Sequence, residues 1–213
     1  MEIFLSLDVL SISKAIKIAS EAYEEGIRHI EVGTPLIKSE GVKAIRMIRD
    51  AFPDAVIFAD MKTMDTGGLE AKIAFDNGAD ISSVMAVAPE ITWKSAVEEA
   101  RRREKEILLD LLGVSKINVA EKLKKAEEIG VNRVCLHRGI DEGGTADLNI
   151  MRELKKVHKI RMGAAGGIDE RSISSFLGLA DFVMVGRAIT GSDDIRGSVR
   201  RILSAIGVEH FIH

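Results

Sequence analysis

Short apolar, β-branched runs alternate along this chain with longer amphipathic, charge-rich segments, and the runs recur about every 25 residues. The strand-like runs are 3–9, 29–33, 55–61, 81–87, 106–111, 133–137, 159–164 and 182–185. Helix-like segments lie between and after them, at 13–25, 36–51, 69–77, 91–103, 118–129, 148–157, 170–177 and 195–205. Gly26, Gly78 and Gly130 close three of the helices in comparable places, as C-terminal glycines do. Eight βα units in series predict an α/β fold closed into a (β/α)8 TIM barrel rather than an open doubly wound sheet, and 213 residues is near the compact end for it. No linker or low-complexity stretch interrupts the series, so residues 1–213 read as one barrel domain.

Composition removes several function classes. A net charge of -3 offers no basic field for nucleic acid, and the one dense basic run, Arg101-Arg102-Arg103, sits in a Glu-rich helix and reads as a solvated helix end. No apolar run approaches the roughly 20 residues that cross a bilayer, and no signal-peptide pattern opens the chain, so the expectation is a cytoplasmic protein without a membrane partner. The single cysteine, Cys135, lies in an apolar run and reads as a small core residue. His29, His158, His210 and His213 read as surface or strand-start residues, and Trp93 as packing. Glutamine is absent and Lys, Arg and Glu abound, a composition compatible with heat adaptation.

The barrel makes a test of the polar residues, because catalytic groups in this fold stand at the C-terminal ends of strands. Asp8 ends the first run, Glu31 the second, Asp60 and Lys62 the third, Asp110 the fifth and His137 the sixth. Their neighbours Leu7, Ile30, Ala59, Leu109 and Leu136 belong to the interior, so a solvated face does not explain them, although structural ion pairing remains an alternative. Asp60 and Lys62 are two residues apart on a strand and point to one side, where they share a site. Four carboxylates converging on one mouth repel unless cations compensate them, and Lys62 supplies one positive charge. The remainder implies a divalent ion, and an all-oxygen donor set favours Mg²⁺, with Glu31 and Asp60 on adjacent strands as its ligands. After the seventh and eighth runs come Gly166-Gly167 and Gly186-Arg187, which read either as tight turns or as a phosphate cradle; their joint position favours the cradle.

Several segments together carry a resemblance. Leu7-Asp8, Glu31-Val32-Gly33-Thr34-Pro35, the run from Asp60 to Asp65 (DMKTMD), Asp110, His137-Arg138-Gly139-Ile140-Asp141, Ala165-Gly166-Gly167-Ile168 and the run from Val185 to Gly191 resemble the 3-hexulose-6-phosphate synthases. These belong to the orotidine 5'-monophosphate decarboxylase suprafamily. The resemblance spans essentially the whole chain, and the DxKTMD run followed by glycine is its most specific part. It implies a Mg²⁺-dependent aldol addition of formaldehyde to D-ribulose 5-phosphate, giving D-arabino-hex-3-ulose 6-phosphate, in a homodimer. Through a shared 1,2-enediolate it implies Lys62 as oxyanion stabiliser and His137 as proton carrier. Asp8 and Asp110 would orient substrate hydroxyls and Lys62, and Asp65 would reach the neighbouring subunit's site.

Two positions depart from the synthase pattern. Arg138 and Arg187 stand where the synthases usually have Thr and Gly, and both look like the related 3-keto-L-gulonate-6-phosphate decarboxylases, whose motif runs HRSRD. That motif's second arginine is Ile140 here, the decarboxylases' usual strand-five Glu is Asp110, and their DAKIAD is DMKTMD. The synthase is the favoured reading and the decarboxylase the alternative. A barrel that only binds a sugar phosphate would have no need of Asp60, Lys62 and His137.

Overall fold

The computed structural model describes residues 1–208; His210 and His213 lie outside the described residues. Eight parallel strands close in sequence order: β1 (Glu2–Leu7), β2 (His29–Val32), β3 (Val56–Thr63), β4 (Ile81–Met85), β5 (Glu106–Asp110), β6 (Arg133–His137), β7 (Arg161–Ala165) and β8 (Phe182–Val185), with β8 returning to β1. The helices are α1 (Ile12–Glu24), α2 (Thr34–Glu40), α3 (Lys43–Ala51), α4 (Gly67–Asp76), α5 (Glu90–Arg102), α6 (Val119–Ile129), α7 (Leu148–Val157), α8 (Arg187–Thr190) and α9 (Ile195–Ser204). Among the described residues no helix is long and apolar enough to cross a membrane.

Strand alternation sorts the core into two shells. Phe4, Phe58, Ile81, Leu108, Cys135, Phe182 and Met184 form one buried cluster inside the barrel, and the larger cluster of Leu5, Leu7, Ile30, Ile57, Val183 and the helix faces lies outside it. Phe4 meets Phe58 and Phe182 edge-on at 6.2 and 5.9 Å between ring centroids, the geometry aromatic quadrupoles favour. Gly163 makes room for this layer, since a Cβ there would lie 2.1 Å from the Phe182 ring. Cys135 belongs to the inner cluster, and burial pushes its thiol pKa well up, so it is inert filling. Trp93 is buried too, its Nε1 donating to the Met85 carbonyl. The barrel floor is closed by Arg133, which pairs with Glu2 and Glu106 and lies over the rings of Phe4 and Phe182.

Three elements differ from the sequence expectation. The helix expected over 36–51 is two helices, broken at Gly41, whose φ of 75° takes the chain out of the helical region. The helix expected over 170–177 is only a 3₁₀ turn, Ile173–Phe176. There Asp169 Oδ1 accepts from the amides of Arg171 and Ser172 and from the Ser172 hydroxyl, a local turn that competes with helix. The four-residue α8 is too short to leave a periodic signal. Gly26, Gly78 and Gly130 do end helices, with φ of 101°, 96° and 87°. Arg103 of the basic run pairs with Glu99 and Asp76 at a helix end, as charge patterning suggested.

Ser82 on β4 is buried, and its Oγ has no hydrogen-bond partner among the described residues. Ser82→Ala should therefore stabilise the fold by about 1 kcal/mol, the cost of an unsatisfied hydroxyl. Thermal unfolding would read this as a rise of about 3 °C, and a lowered midpoint would contradict it.

Candidate active site

The C-terminal strand ends surround a cavity of about 960 Å³ whose walls include Asp8, Glu31, Asp60, Lys62, His137 and Arg187. Ser6, Thr34, Lys38, Gly166, Gly167 and Gly186 also line it. A cavity of about 920 Å³ at the opposite end of the barrel is walled by Glu2, Arg161, Lys155 and Asp181, whose charges are spent on the pairs Glu2–Arg161 and Lys155–Asp181. The polar groups that sequence reasoning singled out thus converge on one mouth, except that Asp110 is buried behind the lining, bonded to Lys62 and His137, and Asp65 stands apart. Asp65 is exposed beyond β3, where its Oδ1 accepts from the Thr66 amide, and it does not line its own chain's cavity.

Lys62 is the centre of the constellation. Its Nζ lies 2.8 Å from Asp110 Oδ2 and 3.0 Å from Asp60 Oδ2. Burial alone would lower the ammonium's pKa, but the two carboxylates reverse this and raise it far above the ordinary lysine value, so Lys62 is a permanent cation and not a base. Asp110 in turn accepts from His137 Nδ1 at 2.8 Å and from the Leu112 amide at 2.9 Å. Burial pushes its carboxyl pKa up, while the His137 hydrogen bond and the charges of His137 and Lys62 prevail and hold it at about 2. A carboxylate only accepts, so Nδ1 carries the hydrogen and Nε2 is the His137 nitrogen left for chemistry.

The carboxylates on the other side carry a surplus of negative charge. Glu31 is buried, accepts from the Ser6 hydroxyl, and has a pKa well above the ordinary value because of burial and the nearby charges of Asp60 and Asp8. Asp8 is shifted up by burial within the mouth and by Asp60. Its carboxylate fits over Gly33, where a Cβ would stand 2.2 Å from Oδ1. Thr34 Oγ1 and Ser83 Oγ each donate to Asp60 at 2.8 Å, to Oδ2 and Oδ1 respectively. A hard divalent cation fits this excess of carboxylate oxygen. Among the described residues no group of three or more His, Cys, Asp or Glu side chains is arranged to hold one, so Glu31 and Asp60 would need oxygens from outside the protein to complete the shell.

Across the mouth, Gly166 and Gly167 follow β7 with φ of 97° and 61°. A Cβ would lie 2.0 Å from the Arg138 carbonyl at Gly166 and 2.3 Å from the Gly144 carbonyl at Gly167. Glycine is required at both, and both line the cavity together with Arg187. Arg138 turns away, its Nε donating to the Gly143 carbonyl.

Sequence reasoning missed the hydroxyls of Ser6, Thr34 and Ser83. Ser6 was within reach, since alternation puts it on the face of Asp8 two residues later. Ser83 was not, because it meets Asp60 and Lys62 through an irregularity in the β3–β4 ladder. Asp60 and Lys62 share a face as expected, but Lys62 has φ of 48° and the register shifts between Ala59 and Thr63, so a bulge aims the pair rather than plain strand alternation.

Comparison with known proteins identifies the lineage. The profile of the orotidine 5'-phosphate decarboxylase / HUMPS family matches residues 1–202. The chain belongs to this family. Within the family, a Bacillus subtilis (strain 168) protein named 3-hexulose-6-phosphate synthase is 35% identical over 198 residues, 91% of this chain and 93% of the relative. The crystal structure of 3-hexulose-6-phosphate synthase from Salmonella typhimurium superposes with a TM-score of 0.90 at 31% identity, over 97% of this chain and 98% of that one. The 3-keto-L-gulonate-6-phosphate decarboxylase of Vibrio cholerae superposes with a TM-score of 0.84 at 29% identity, over 96% of each chain. The protein is an enzyme of this family, a lyase built on the (β/α)8 barrel.

Proposed function

We propose that the protein catalyses the reversible aldol addition of formaldehyde to D-ribulose 5-phosphate, giving D-arabino-hex-3-ulose 6-phosphate. The observation that carries this reading is the Lys62 ammonium held between Asp60 and Asp110 with His137 hydrogen-bonded to the same Asp110, all at the barrel mouth. Base, fixed cation and orienting carboxylate are the parts that proton removal next to a carbonyl demands. His137 Nε2 takes the proton from C1 of the bound ketose, and the electron pair left behind delocalises onto the C2 oxygen, which Lys62 stabilises. The C1–C2 enediolate attacks the formaldehyde carbon, the new carbon–carbon bond forms at C1, and the resulting alkoxide takes the proton back from His137. Asp110 keeps the imidazole in the working tautomer, and Asp8 and Asp60 accept from substrate hydroxyls. Mg²⁺ held by Glu31 and Asp60 would supply Lewis-acid stabilisation of negative charge on the substrate's oxygens.

The phosphate would sit on the N–H groups of Gly166, Gly167 and Gly186, with Arg187 beside it. Because that contact is remote from C1, Arg187→Ala should raise KM for the sugar phosphate by about tenfold or more and leave kcat within about threefold. A collapse of kcat at constant KM would move Arg187 into the chemical step.

A second copy of the chain is the proposed partner. Met64, Leu69, Val87, Ile91 and Ile117 are exposed apolar side chains on the segments that follow β3, β4 and β5. Asp65 stands among them, so association through this side would carry it toward the partner subunit's cavity. The curated relatives support an enzyme acting on small molecules, and a cytoplasmic location belongs to the same proposal.

The decarboxylase is the second reading, favoured by Arg138 and Arg187 and by the structural neighbour from Vibrio cholerae. Against it stands Ile140, exposed on the cavity wall where the decarboxylase motif has its second arginine. Incubation with Mg²⁺, ribulose 5-phosphate and formaldehyde, with 3-keto-L-gulonate 6-phosphate in parallel, separates the two. A six-carbon ketose phosphate is the expected product, and faster release of CO₂ from the keto-gulonate would reverse the choice. Chelation should abolish turnover and Mg²⁺ should restore it. Full activity of a demonstrably metal-free preparation would remove the metal from the scheme.

A further inference from the structure

Asp60 and Lys62 do not reach their places by ordinary strand geometry, because the segment Asp60-Met61-Lys62 interrupts the ladder. β3 and β4 are in register at Phe58↔Ile81 and Ala59↔Ser82, and register resumes at Thr63↔Val84. Three residues of β3 therefore lie against a single residue of β4, which is Ser83. An insertion of this kind leaves ladder N–H groups without strand partners and drives the backbone out of the extended region. Lys62 shows the second effect, at φ of 48°, a left-handed conformation for a long side chain with no local hydrogen bond of its own to favour it.

Ser83 answers both problems with one oxygen. Its Oγ accepts the Lys62 N–H at 2.9 Å and donates to Asp60 Oδ1 at 2.8 Å. Ser83 is fully buried and does not line the cavity, so it touches neither solvent nor substrate. The neighbouring Ser82 is also buried, yet its hydroxyl has no partner at all among the described residues. The two serines are neighbours on one strand and equally buried, but alternation turns them to opposite faces and only the Ser83 hydroxyl reaches the bulge.

We propose that Ser83 is a positioning residue: its hydroxyl stands in for the missing β4 backbone at the bulge, locking the left-handed turn at Lys62 and the rotamer of Asp60 so that the ammonium meets both carboxylates. The role rests on the reading of Lys62 and Asp60 as catalytic groups. It follows that the hydroxyl matters to the transition state and little to substrate capture, because Gly166, Gly167 and Arg187 lie on the opposite wall and are untouched.

The test compares Ser83→Ala with Ser82→Ala, using the unpartnered serine as an internal control. Three quantities are read: steady-state constants with ribulose 5-phosphate and formaldehyde, thermal unfolding, and hydrogen exchange of the Lys62 amide by NMR. Ser83→Ala should lower kcat by on the order of 10- to 100-fold with KM for the sugar phosphate within about threefold, and should speed Lys62 amide exchange at least about tenfold. Ser82→Ala should change neither. A Ser83→Ala enzyme with wild-type kcat and a still-protected Lys62 amide would overturn the proposal, as would a loss shared equally between kcat and KM. If Ser83→Ala does not fold, the wild-type protein decides, since a Lys62 amide exchanging as fast as those of exposed Met64 and Asp65 contradicts the hydrogen bond. If the wild-type protein has no aldol activity, the proposed function fails while the amide exchange still judges Ser83, so the two failures are told apart.

Discussion

Lys62→Ala is expected to lower kcat by about a thousandfold or more, since it removes the cation that the proposed mechanism sets against the developing oxyanion. The same change should alter how stability depends on pH, and in a direction that identifies the cause. In the wild type, Lys62 has its pKa raised by Asp60 and Asp110 against the opposing effect of burial, so its contribution is complete below the ordinary lysine pKa of about 10.4 and is lost only as the pH climbs past it. On the acid side, Asp110 is held at about 2 despite burial, by His137 first and Lys62 second. Its contribution is present above the ordinary carboxylate range and disappears as the pH falls from about 4 toward 2. Without the ammonium, Asp60 and Asp110 remain buried beside Glu31 and Asp8 with a cation missing, a situation that costs about 3 kcal/mol when both carboxylates stay charged. The Asp110 carboxyl can escape by taking up a proton. The deficit of Lys62→Ala should therefore be largest near neutral pH and shrink as the pH falls from about 4 toward 2, as denaturant titrations at the two ends would show. A deficit that stays constant or grows over that fall would mean that Lys62 does not help to hold Asp110 ionised.

The residues that end strands were legible because each interrupts or closes an apolar run. Asp8, Glu31, Asp60, Asp110 and His137 each follow apolar strand interiors, and a barrel sends all such positions to one mouth. The eight βα units were legible for a similar reason, since the alternation of strand and helix periods is a property of local sequence. What escaped depends on contacts between segments or on single dihedrals. The break at Gly41 divides two helices whose apolar faces continue one another, so periodicity runs straight through it. The turn at Ile173–Phe176 was read as a helix because the Asp169 carboxylate that competes for its first amides lies just outside the window that sets the period. Ser83 is the extreme case: nothing in the run Ile81-Ser82-Ser83-Val84 tells which hydroxyl meets a bulge that belongs to another strand. Asp65 was legible as a polar residue beyond a strand end, but its use depends on a second copy of the chain.

Gly166→Ala should produce the other large effect, at the opposite wall of the cavity. Two costs coincide there. The φ of 97° is one that L-residues avoid, and the added Cβ would lie 2.0 Å from the Arg138 carbonyl, a backbone atom with little freedom to retreat. The Arg138 amide donates to the Ala165 carbonyl at 3.0 Å, which ties the end of β6 to the residue just before Gly166. Relief of the clash must therefore either break that tie or rotate the loop and carry the amides of Gly166 and Gly167 away from the mouth. Either movement is felt one residue from His137, which is paired in register with Ala165. The expected result is a rise in KM for the sugar phosphate of about a hundredfold together with a fall in kcat, where Arg187→Ala moves KM alone. A loss of stability of about 2 kcal/mol should accompany it. Inhibition by inorganic phosphate gives a direct reading of the same wall, and its inhibition constant should weaken in step with KM. If Gly166→Ala loses stability yet keeps the wild-type KM and phosphate inhibition, the glycines serve the turn and not an anion, and the phosphate must be sought elsewhere on the cavity wall, with Lys38 on α2 the next cation to test.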